Sequence, residues 1–275
     1  MQTSLYQRIY CATMSMLPRS SLTRWSRLDL AAVLALGLAN QTHAQSSCSS
    51  DGQSPPTALL ERFVSADCDT CWAKASLPPP AAGQAALDWI VPSPKGDEAA
   101  LSGAATRDAQ TRLQALNLPW SASQASMQTS AVQKVLPHSG SAPGAKLRVA
   151  HGLPFNGYIG ASIEFTPTRV LGAAPKPSGG VKGHDLWAHL VLVETLPAGA
   201  EGSDVERQLV RNVLITPWRM ADELGKANKV GFKAFFESRP ISLPAGVNPE
   251  RLRVLGWVQD ATGRVLATAQ SRCEG

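Results

Sequence analysis

Two cysteines three positions apart are the residues of this 275-residue chain whose spacing most clearly indicates chemistry. They are Cys68 and Cys71, in the stretch FVSADCDTCWAKAS that covers residues 63–76. Such a pair can exchange thiols for a disulfide, supply part of a metal site, or form a structural disulfide. If the pair starts a helix, backbone N–H groups lower the pKa of the first thiol. Cys68 would then attack a partner, and Cys71 would resolve the mixed disulfide.

The residues around the pair do not all favour a thiolate. Asp67 and Asp69 flank Cys68, and nearby negative charge disfavours a second negative charge on its sulfur. The two intervening residues are Asp and Thr, and they do not define the reduction potential of the pair. Whether the two cysteines act as thiols or as a disulfide also depends on the compartment in which the protein works.

The N-terminus indicates export. Three arginines, Arg19, Arg24 and Arg27, precede the apolar run LAAVLALGLA of residues 30–39, and THA follows at 42–44. This order is typical of a secretory signal peptide, and the run is shorter than the roughly 20 residues of a membrane span. We expect cleavage of residues 1–44, a mature chain that starts at Gln45, and a periplasmic or secreted protein without a stable membrane anchor.

Removing that leader changes the charge of the chain. The whole sequence has 26 Lys+Arg and 21 Asp+Glu, a net charge of +5. The leader contains four Arg and one Asp, so the mature chain has 22 basic and 20 acidic residues, a net charge of +2. Its basic residues are scattered, whereas nucleic-acid binders concentrate them on one face. We therefore expect no nucleic-acid partner.

Four cysteines remain after the leader, and an even number fits disulfides in an exported chain. The pairing favoured by position is Cys68–Cys71 together with Cys48–Cys273, because the first two are close and the others lie at the two ends of the mature chain. The alternative is that Cys48 and Cys273 stay unpaired in flexible ends.

No metal site or cofactor is expected from the sequence. Zinc commonly needs four ligands, from two Cys-x-x-Cys pairs or from Cys and His, and only one such pair is present. The mature histidines, His138, His151, His184 and His189, are not at zinc-finger spacing from it. His184 and His189 are five positions apart, which places them on opposite faces of a strand.

The first part of the mature chain mixes strands and helices. The mature chain is expected to begin with a flexible segment at 45–57. A domain is predicted to follow it over residues 58–137. Its elements are a strand at 58–66, one or two helical turns at 72–76 ended by Pro78–Pro80, a strand at 86–91, an amphipathic helix at 97–117 and a short helix at 127–136.

Beyond a Pro/Gly/Ser linker at 138–145, the pattern of residues 146–275 becomes β. Seven strand-like stretches indicate a sandwich, and DATGR at 260–264 predicts a hairpin between the last two. A Pro/Gly-rich loop is expected at 172–183. In the stretch VERQLVRNV, Arg207 and Arg211 are expected to face solvent.

The stretch LLERFVSADCDTC resembles the opening strand and cysteine pair of an uncharacterised family of exported bacterial proteins, a domain of unknown function with a thioredoxin-like fold. Weaker similarity continues in ALDWIV, in residues 190–213 and in the final hairpin. The resemblance implies an α/β thioredoxin-like N-terminal part followed by an all-β sandwich-like C-terminal part, α+β overall.

The sequence departs from that family at two points. Arg62 stands where the family has an apolar residue. Thioredoxin-like proteins also carry a proline with a preceding cis bond opposite the cysteines, and Pro119 and Pro154 are the candidates for that position, without the Thr-Pro context of the family.

Two functions remain open at this point. The first is an exported thioredoxin-like thiol–disulfide oxidoreductase, with Cys68 and Cys71 as catalytic residues and a protein thiol or disulfide as partner. The second is a non-catalytic secreted protein in which the Cys68–Cys71 disulfide is structural and the β domain binds another partner. The oligomeric state is not indicated.

Overall fold

Two β-sheets dominate the part of the chain that the computed structural model describes, which is residues 48–121, 127–136, 145–167, 186–219 and 234–273. The predicted signal peptide and the loop at 172–183 lie outside these residues, as does the linker at 138–145 except for Ala145. Within the described ranges, no helix is long and apolar enough to cross a membrane.

The strands and helices follow one another in a simple order along the chain. The strands are β1 (Cys48–Ser49), β2 (Ala58–Ser65), β3 (Gln84–Val91), β4 (Gln128–Lys134), β5 (Lys146–His151), β6 (Tyr158–Thr166), β7 (Leu186–Leu196), β8 (Arg207–Trp218), β9 (Phe235–Ser242), β10 (Leu252–Asp260), β11 (Val265–Gln270) and β12 (Arg272–Cys273). The α-helices are α1 (Asp69–Ala73) and α2 (Arg107–Ala115), and 3₁₀ turns occur at Gly96–Glu98, Ser102–Ala104 and Pro249–Arg251.

The larger sheet has seven strands in the order β11-β10-β7-β8-β3-β2-β4. Within it, β2 pairs in parallel with β3 and antiparallel with β4, and β3 pairs in parallel with β8. Strands β2 to β4 from the first half of the chain and β10 and β11 from near its C-terminal end therefore belong to the same sheet.

The smaller sheet has five strands in the order β12-β1-β5-β6-β9, and all of its pairings are antiparallel. Its inner face packs on the larger sheet through an apolar cluster that includes Val149, Ile163 and Phe165 from one sheet and Leu190 and Val254 from the other. The β-rich, sandwich-like architecture predicted for the C-terminal residues is present in this packing.

The other face of the larger sheet is covered in part by α2. Ala109 and Leu113 of this helix pack on Phe63, Leu87 and Trp89, which belong to the neighbouring strands β2 and β3. Side chains alternate between the two faces of a strand, so the odd-numbered residues of β2 face α2 and the even-numbered ones face the opposite side. Burial on both faces explains why β2 is buried along its whole length.

The predicted fold class is wrong in its N-terminal part. The described chain is mostly strand in two sheets, and an α/β thioredoxin-like part is not present. The helices there are short, with five residues in α1 and nine in α2. The turns predicted at 72–76 are present as α1, which begins and ends three residues earlier. The helix predicted at 97–117 is shorter than expected, because two 3₁₀ turns, Gly96–Glu98 and Ser102–Ala104, precede α2.

The predicted helix at 127–136 is the strand β4. Its residues pair with β2 from Ala58–Lys134 to Val64–Gln128, which satisfies the backbone hydrogen bonds of an otherwise open sheet edge. Thr129 and Val132 are β-branched residues that suit such a strand. The hydrogen bonds that residues 128–134 gain by pairing with β2 therefore outweigh the weak helical pattern of their sequence.

The strands predicted from residues 58–66, 86–91 and 146–271 are confirmed as β2, β3 and β5 to β11, with shifted ends. The predicted hairpin joins β10 to β11. Asp260 Oδ1 accepts hydrogen bonds from the N–H groups of Thr262 at 2.9 Å and Arg264 at 3.1 Å, and Gly263 has a φ of +82° that favours glycine.

His189 is buried in the larger sheet, and we expect it to make stability depend on pH. Its ring stacks on Trp257 with 4.6 Å between centroids, and burial together with the nearby Arg112 charge lowers its pKa from 6.5 to about 3. Between these two values the unfolded chain binds the proton and the folded chain does not. Stability is therefore complete above pH 6.5 and falls with decreasing pH by up to about 1.4 kcal/mol per unit.

The pH effect is measured by urea unfolding at pH 7 and pH 4.5. The His189→Gln variant has no imidazole to protonate, so its stability should fall less over this range than that of the unchanged chain. An equal fall in both proteins would show that other groups cause the effect.

Candidate functional site

The Cys-x-x-Cys motif lies where β2, the neighbour of the edge strand β4, leaves the larger sheet. Cys68 is the N-cap of α1, and Cys71 is on the first turn of that helix. The two residues form a disulfide with 5.2 Å between their Cα atoms. Both cysteines are thus held by a strand end and one helical turn, as the sequence predicted.

Two donors point at the sulfur of Cys68. The N–H of Cys71 donates a hydrogen bond to Cys68 Sγ at 3.2 Å, and Thr70 Oγ1 lies 3.6 Å from the same sulfur. Once the disulfide is reduced, hydrogen bonds of this kind favour a charged sulfur over a neutral one. The short helix α1 adds little through its dipole, so these two contacts are the main local support for a thiolate.

Negative charges next to Cys68 are partly compensated. Asp69 Oδ1 accepts the N–H of Thr70 at 2.7 Å, so this carboxylate is satisfied by the first turn of α1. The Asp67 carboxylate is buried, and its Oδ1 lies 3.7 Å from the exposed ammonium of Lys95. Both aspartates still oppose a thiolate at Cys68, as the sequence indicated.

Arg207 holds the other end of α1. Its Nη2 donates to the carbonyl oxygens of Cys71 at 3.2 Å, Trp72 at 2.5 Å and Lys74 at 2.8 Å, and its guanidinium lies 4.9 Å from the centre of the Trp72 ring. The last carbonyl groups of a helix have no partner within the helix. Arg207 supplies that partner from β8, far along the chain.

The expectation that Arg207 faces solvent is wrong, because only 1% of this residue is exposed. Its charge is balanced by Asp88, whose Oδ1 lies 3.7 Å from Arg207 Nη1. Burial lowers the pKa of Arg207 below its ordinary value; Asp88 opposes this shift, and the Arg62 charge adds to it. Arg211, also expected at the surface, is largely buried and pairs with Glu194 at 2.6 Å and Glu201 at 2.7 Å.

Arg62, at a position where the sequence resemblance predicted an apolar residue, belongs to the same buried network. It lies directly opposite Asp88 in the parallel pairing of β2 and β3, and its Nη2 donates to Asp88 Oδ2 at 2.6 Å. Asp88 therefore binds two buried arginines and also accepts the N–H of Gln208 at 2.6 Å. This network connects β2, β3 and β8 beneath the cysteine motif.

Both cysteines of the motif are poorly exposed. Cys68 is 2% and Cys71 is 8% exposed, and they share an apolar cluster with Val64, Trp72 and Ile90. Trp72 is fixed in turn by a hydrogen bond from its Nε1 to the carbonyl of Glu201 at 2.8 Å. A partner must therefore approach along the exposed residues Asp69 and Thr70, or the motif must open.

The proline candidates do not have the expected backbone. No cis peptide bond occurs in the described ranges, which include Pro119 and Pro154 and the residues before them. Pro119 follows α2, and Pro154 lies between β5 and β6 of the smaller sheet. The prediction that one of these two prolines is a cis-proline opposite the cysteines is therefore wrong.

The second disulfide joins Cys48 to Cys273, the pairing favoured by the sequence, so these residues are not free ends. Cys48 in β1 pairs across the sheet with Cys273 in β12 and with His151 in β5. Burial lowers the pKa of His151, while a hydrogen bond with the Gly152 carbonyl raises it.

A cavity of about 930 Å³ lies between the smaller sheet and the edge of the larger one. Residues of the 50–57 segment line it together with parts of β5, β6 and β11. Neither Cys68 nor Cys71 is among its lining residues, so this cavity is not a substrate pocket for the cysteine pair.

No protein-family model matches the chain, and the searches of curated proteins and of solved structures also find no match. The family resemblance carried by residues 59–71 therefore stays a prediction. Sequence reasoning recognised the cysteines but missed Arg207 and the two-arginine pairing of Asp88. The available signal was the presence of charged residues within largely apolar strands, at Arg62 in β2 and at Asp88 in β3.

Proposed function

We propose that the protein exchanges thiols and disulfides with a protein partner through Cys68 and Cys71, in an oxidising compartment outside the cytoplasm. The observation that carries this proposal is the hydrogen bond from the Cys71 N–H to Cys68 Sγ at 3.2 Å, with the Thr70 hydroxyl 3.6 Å away. Both donors stabilise negative charge on Cys68, which is the sulfur that must attack.

The exchange is balanced in atoms and electrons. The Cys68 thiolate attacks one sulfur of a partner disulfide, whose other sulfur leaves with the electron pair and takes up a proton. The Cys71 thiol then loses its proton and attacks the Cys68 sulfur, which releases the second partner thiol. The result is a protein disulfide and a partner dithiol, and the reverse sequence oxidises a partner instead.

Two features support the proposed location in an oxidising compartment outside the cytoplasm. The basic, apolar and small-residue pattern of residues 19–44 is that of an export signal. The described residues also contain two disulfides, which persist mainly in oxidising compartments.

A second candidate function has its own supporting observation. Cys68 and Cys71 are 2% and 8% exposed, and Arg207 binds the backbone of the motif tightly. A structural disulfide in a non-catalytic binding protein would have such an environment, since buried and inert cysteines serve packing.

Single-cysteine variants separate the two functions. The Cys71→Ser variant keeps Cys68 as the attacking thiol and removes the resolving one, so it should accumulate a mixed disulfide with an added small disulfide in the folded state. Cys68→Ser is the matched control and should react much more slowly. Mass spectrometry after acid quenching measures the adducts.

The pH dependence of alkylation adds a direct test of the donors. Cys68 in the Cys71→Ser variant should react with a thiol pKa below the ordinary value of about 8.5. Adding Thr70→Val removes the hydroxyl and should raise that pKa. If Cys68 stays inert under native conditions while unfolded protein reacts, the exchange function is wrong and the structural one is right.

A further inference from the structure

Three side chains with metal-binding atoms form one row across the smaller sheet. Cys273 in β12 lies opposite Cys48 in β1, and Cys48 lies opposite His151 in β5. Residues directly opposite one another on neighbouring strands point to the same face of the sheet. The two sulfur atoms and an imidazole nitrogen accordingly lie within 4.8 Å of one another.

His151 has an unused nitrogen in this row. The residue is 4% exposed, and its Nδ1 lies 3.0 Å from the carbonyl oxygen of Gly152, so Nδ1 carries the proton and donates it. Its Nε2 is buried and has no hydrogen-bond partner among the described residues. Buried polar atoms are normally satisfied. Histidines that bind metals commonly donate one ring N–H to a carbonyl and use the other nitrogen as the ligand. His151 has this arrangement, with Nε2 as the nitrogen that could bind a metal.

We propose that the reduced form of the Cys48–Cys273 pair binds one Zn²⁺ ion, with the two thiolates and Nε2 of His151 as ligands. Thiolate sulfur and imidazole nitrogen are the ligands that zinc prefers in proteins. The position that remains open is for water, since Cys273 is exposed. The inference concerns the second disulfide and is independent of the exchange proposed at Cys68.

The spacing of the row suits this ion. Two sulfurs that bind one tetrahedral zinc at about 2.3 Å lie about 3.8 Å apart. The Cα atoms of Cys48 and Cys273 are 3.9 Å apart, so the sulfurs can reach that separation by small side-chain rotations once they are no longer bonded. His151 needs no movement of its strand, because it already lies opposite Cys48.

Binding and oxidation exclude each other at this site. An external dithiol reduces the protein disulfide, giving two protein thiols and its own cyclic disulfide. Zn²⁺ then displaces the two thiol protons and binds both thiolates. A partner disulfide reoxidises the pair: it takes up the two electrons and two protons to become a dithiol, the Cys48–Cys273 bond forms again, and the ion is released. The row therefore acts as a zinc site whose occupancy depends on the redox state of Cys48 and Cys273.

The test uses the Cys68→Ser/Cys71→Ser variant of residues 45–275, a compact unit that lacks Cys11 and so retains only this cysteine pair. After reduction and removal of the dithiol without air, Zn²⁺ is titrated in competition with a chromophoric chelator. We expect one equivalent bound by the reduced protein and none by the oxidised protein. Co²⁺ in place of Zn²⁺ should give a thiolate-to-cobalt charge-transfer band.

Two further variants decide between a built site and adventitious thiol binding. His151→Gln should weaken zinc binding by more than about 100-fold, since even outer partners of metal ligands change affinity by roughly 10–100-fold. Cys48→Ser/Cys273→Ser, with the other pair reduced, should lose the site. Equal zinc affinity with and without His151, no binding by the folded reduced protein, or binding retained without Cys48 and Cys273 would each overturn the proposal.

Far-UV circular dichroism checks that each reduced variant is folded. If the double variant at 68 and 71 does not fold when reduced, the comparison is made in the reduced wild-type chain. In that comparison, the reduced His151→Gln variant must bind one equivalent of Zn²⁺ fewer than the reduced wild-type chain for the proposal to stand.

Discussion

Replacing Arg207 with methionine is expected to lower the free energy of unfolding by about 3–5 kcal/mol, the usual cost of removing one partner of a buried ion pair. Methionine keeps much of the apolar volume but leaves the carbonyl groups of Cys71, Trp72 and Lys74 without their donor. It also leaves Asp88 with one arginine instead of two. Urea unfolding measures the change.

The same substitution should make the cysteine pair easier to reduce. With the C-terminal end of α1 released, Cys68 and Cys71 are expected to open more often, so a dithiol should reduce their disulfide faster. Arg264→Met is the matched control, because Arg264 pairs with Asp260 at an exposed hairpin and such pairs contribute about 1 kcal/mol or less. An Arg207 variant as stable as this control would contradict the role assigned to the buried network.

Removing the Cys48–Cys273 disulfide is expected to have the second large effect. This bond closes a loop with a sequence separation of 225, whereas Cys68–Cys71 closes one of only 3. The chain-entropy relation gives about 5 kcal/mol for the long loop and about 2 kcal/mol for the short one. The Cys48→Ser/Cys273→Ser variant should therefore be much less stable than the Cys68→Ser/Cys71→Ser variant.

Thermal and urea unfolding of the two double variants, both compared with the oxidised wild type, measure this difference. The two variants are matched, since each replaces two cysteines with serines and removes one disulfide. If the short-range pair contributes as much stability as the long-range pair, the Cys68–Cys71 bond has a structural role beyond loop closure. That outcome would favour the structural alternative for the motif.

The sequence predicted the features that depend on local pattern. Alternating and apolar stretches predicted β2, β3 and the later strands, and Gly263 with Asp260 predicted the final hairpin. The two disulfides followed from an even number of cysteines and from their positions at the chain ends and in one short motif.

The features that depend on distant pairing were not predictable. β4 has a weak helical pattern and became a strand because β2 offered it an open edge. Arg207 has the alternation of a surface residue, and only the approach of α1 to β8 explains its burial. His151 is far from both Cys48 and Cys273 in sequence, and only the register of β1 and β5 brings it beside them.

The reduction potential of Cys68–Cys71 in the purified protein tests the central claim most directly. The protein is equilibrated with glutathione buffers, free thiols are trapped, and peptides that contain each cysteine pair are quantified. The account predicts a potential between roughly −270 and −120 mV, the range of known thiol–disulfide oxidoreductases. A potential below about −300 mV, with Cys68 inert to alkylating agents, would contradict it and identify a structural disulfide.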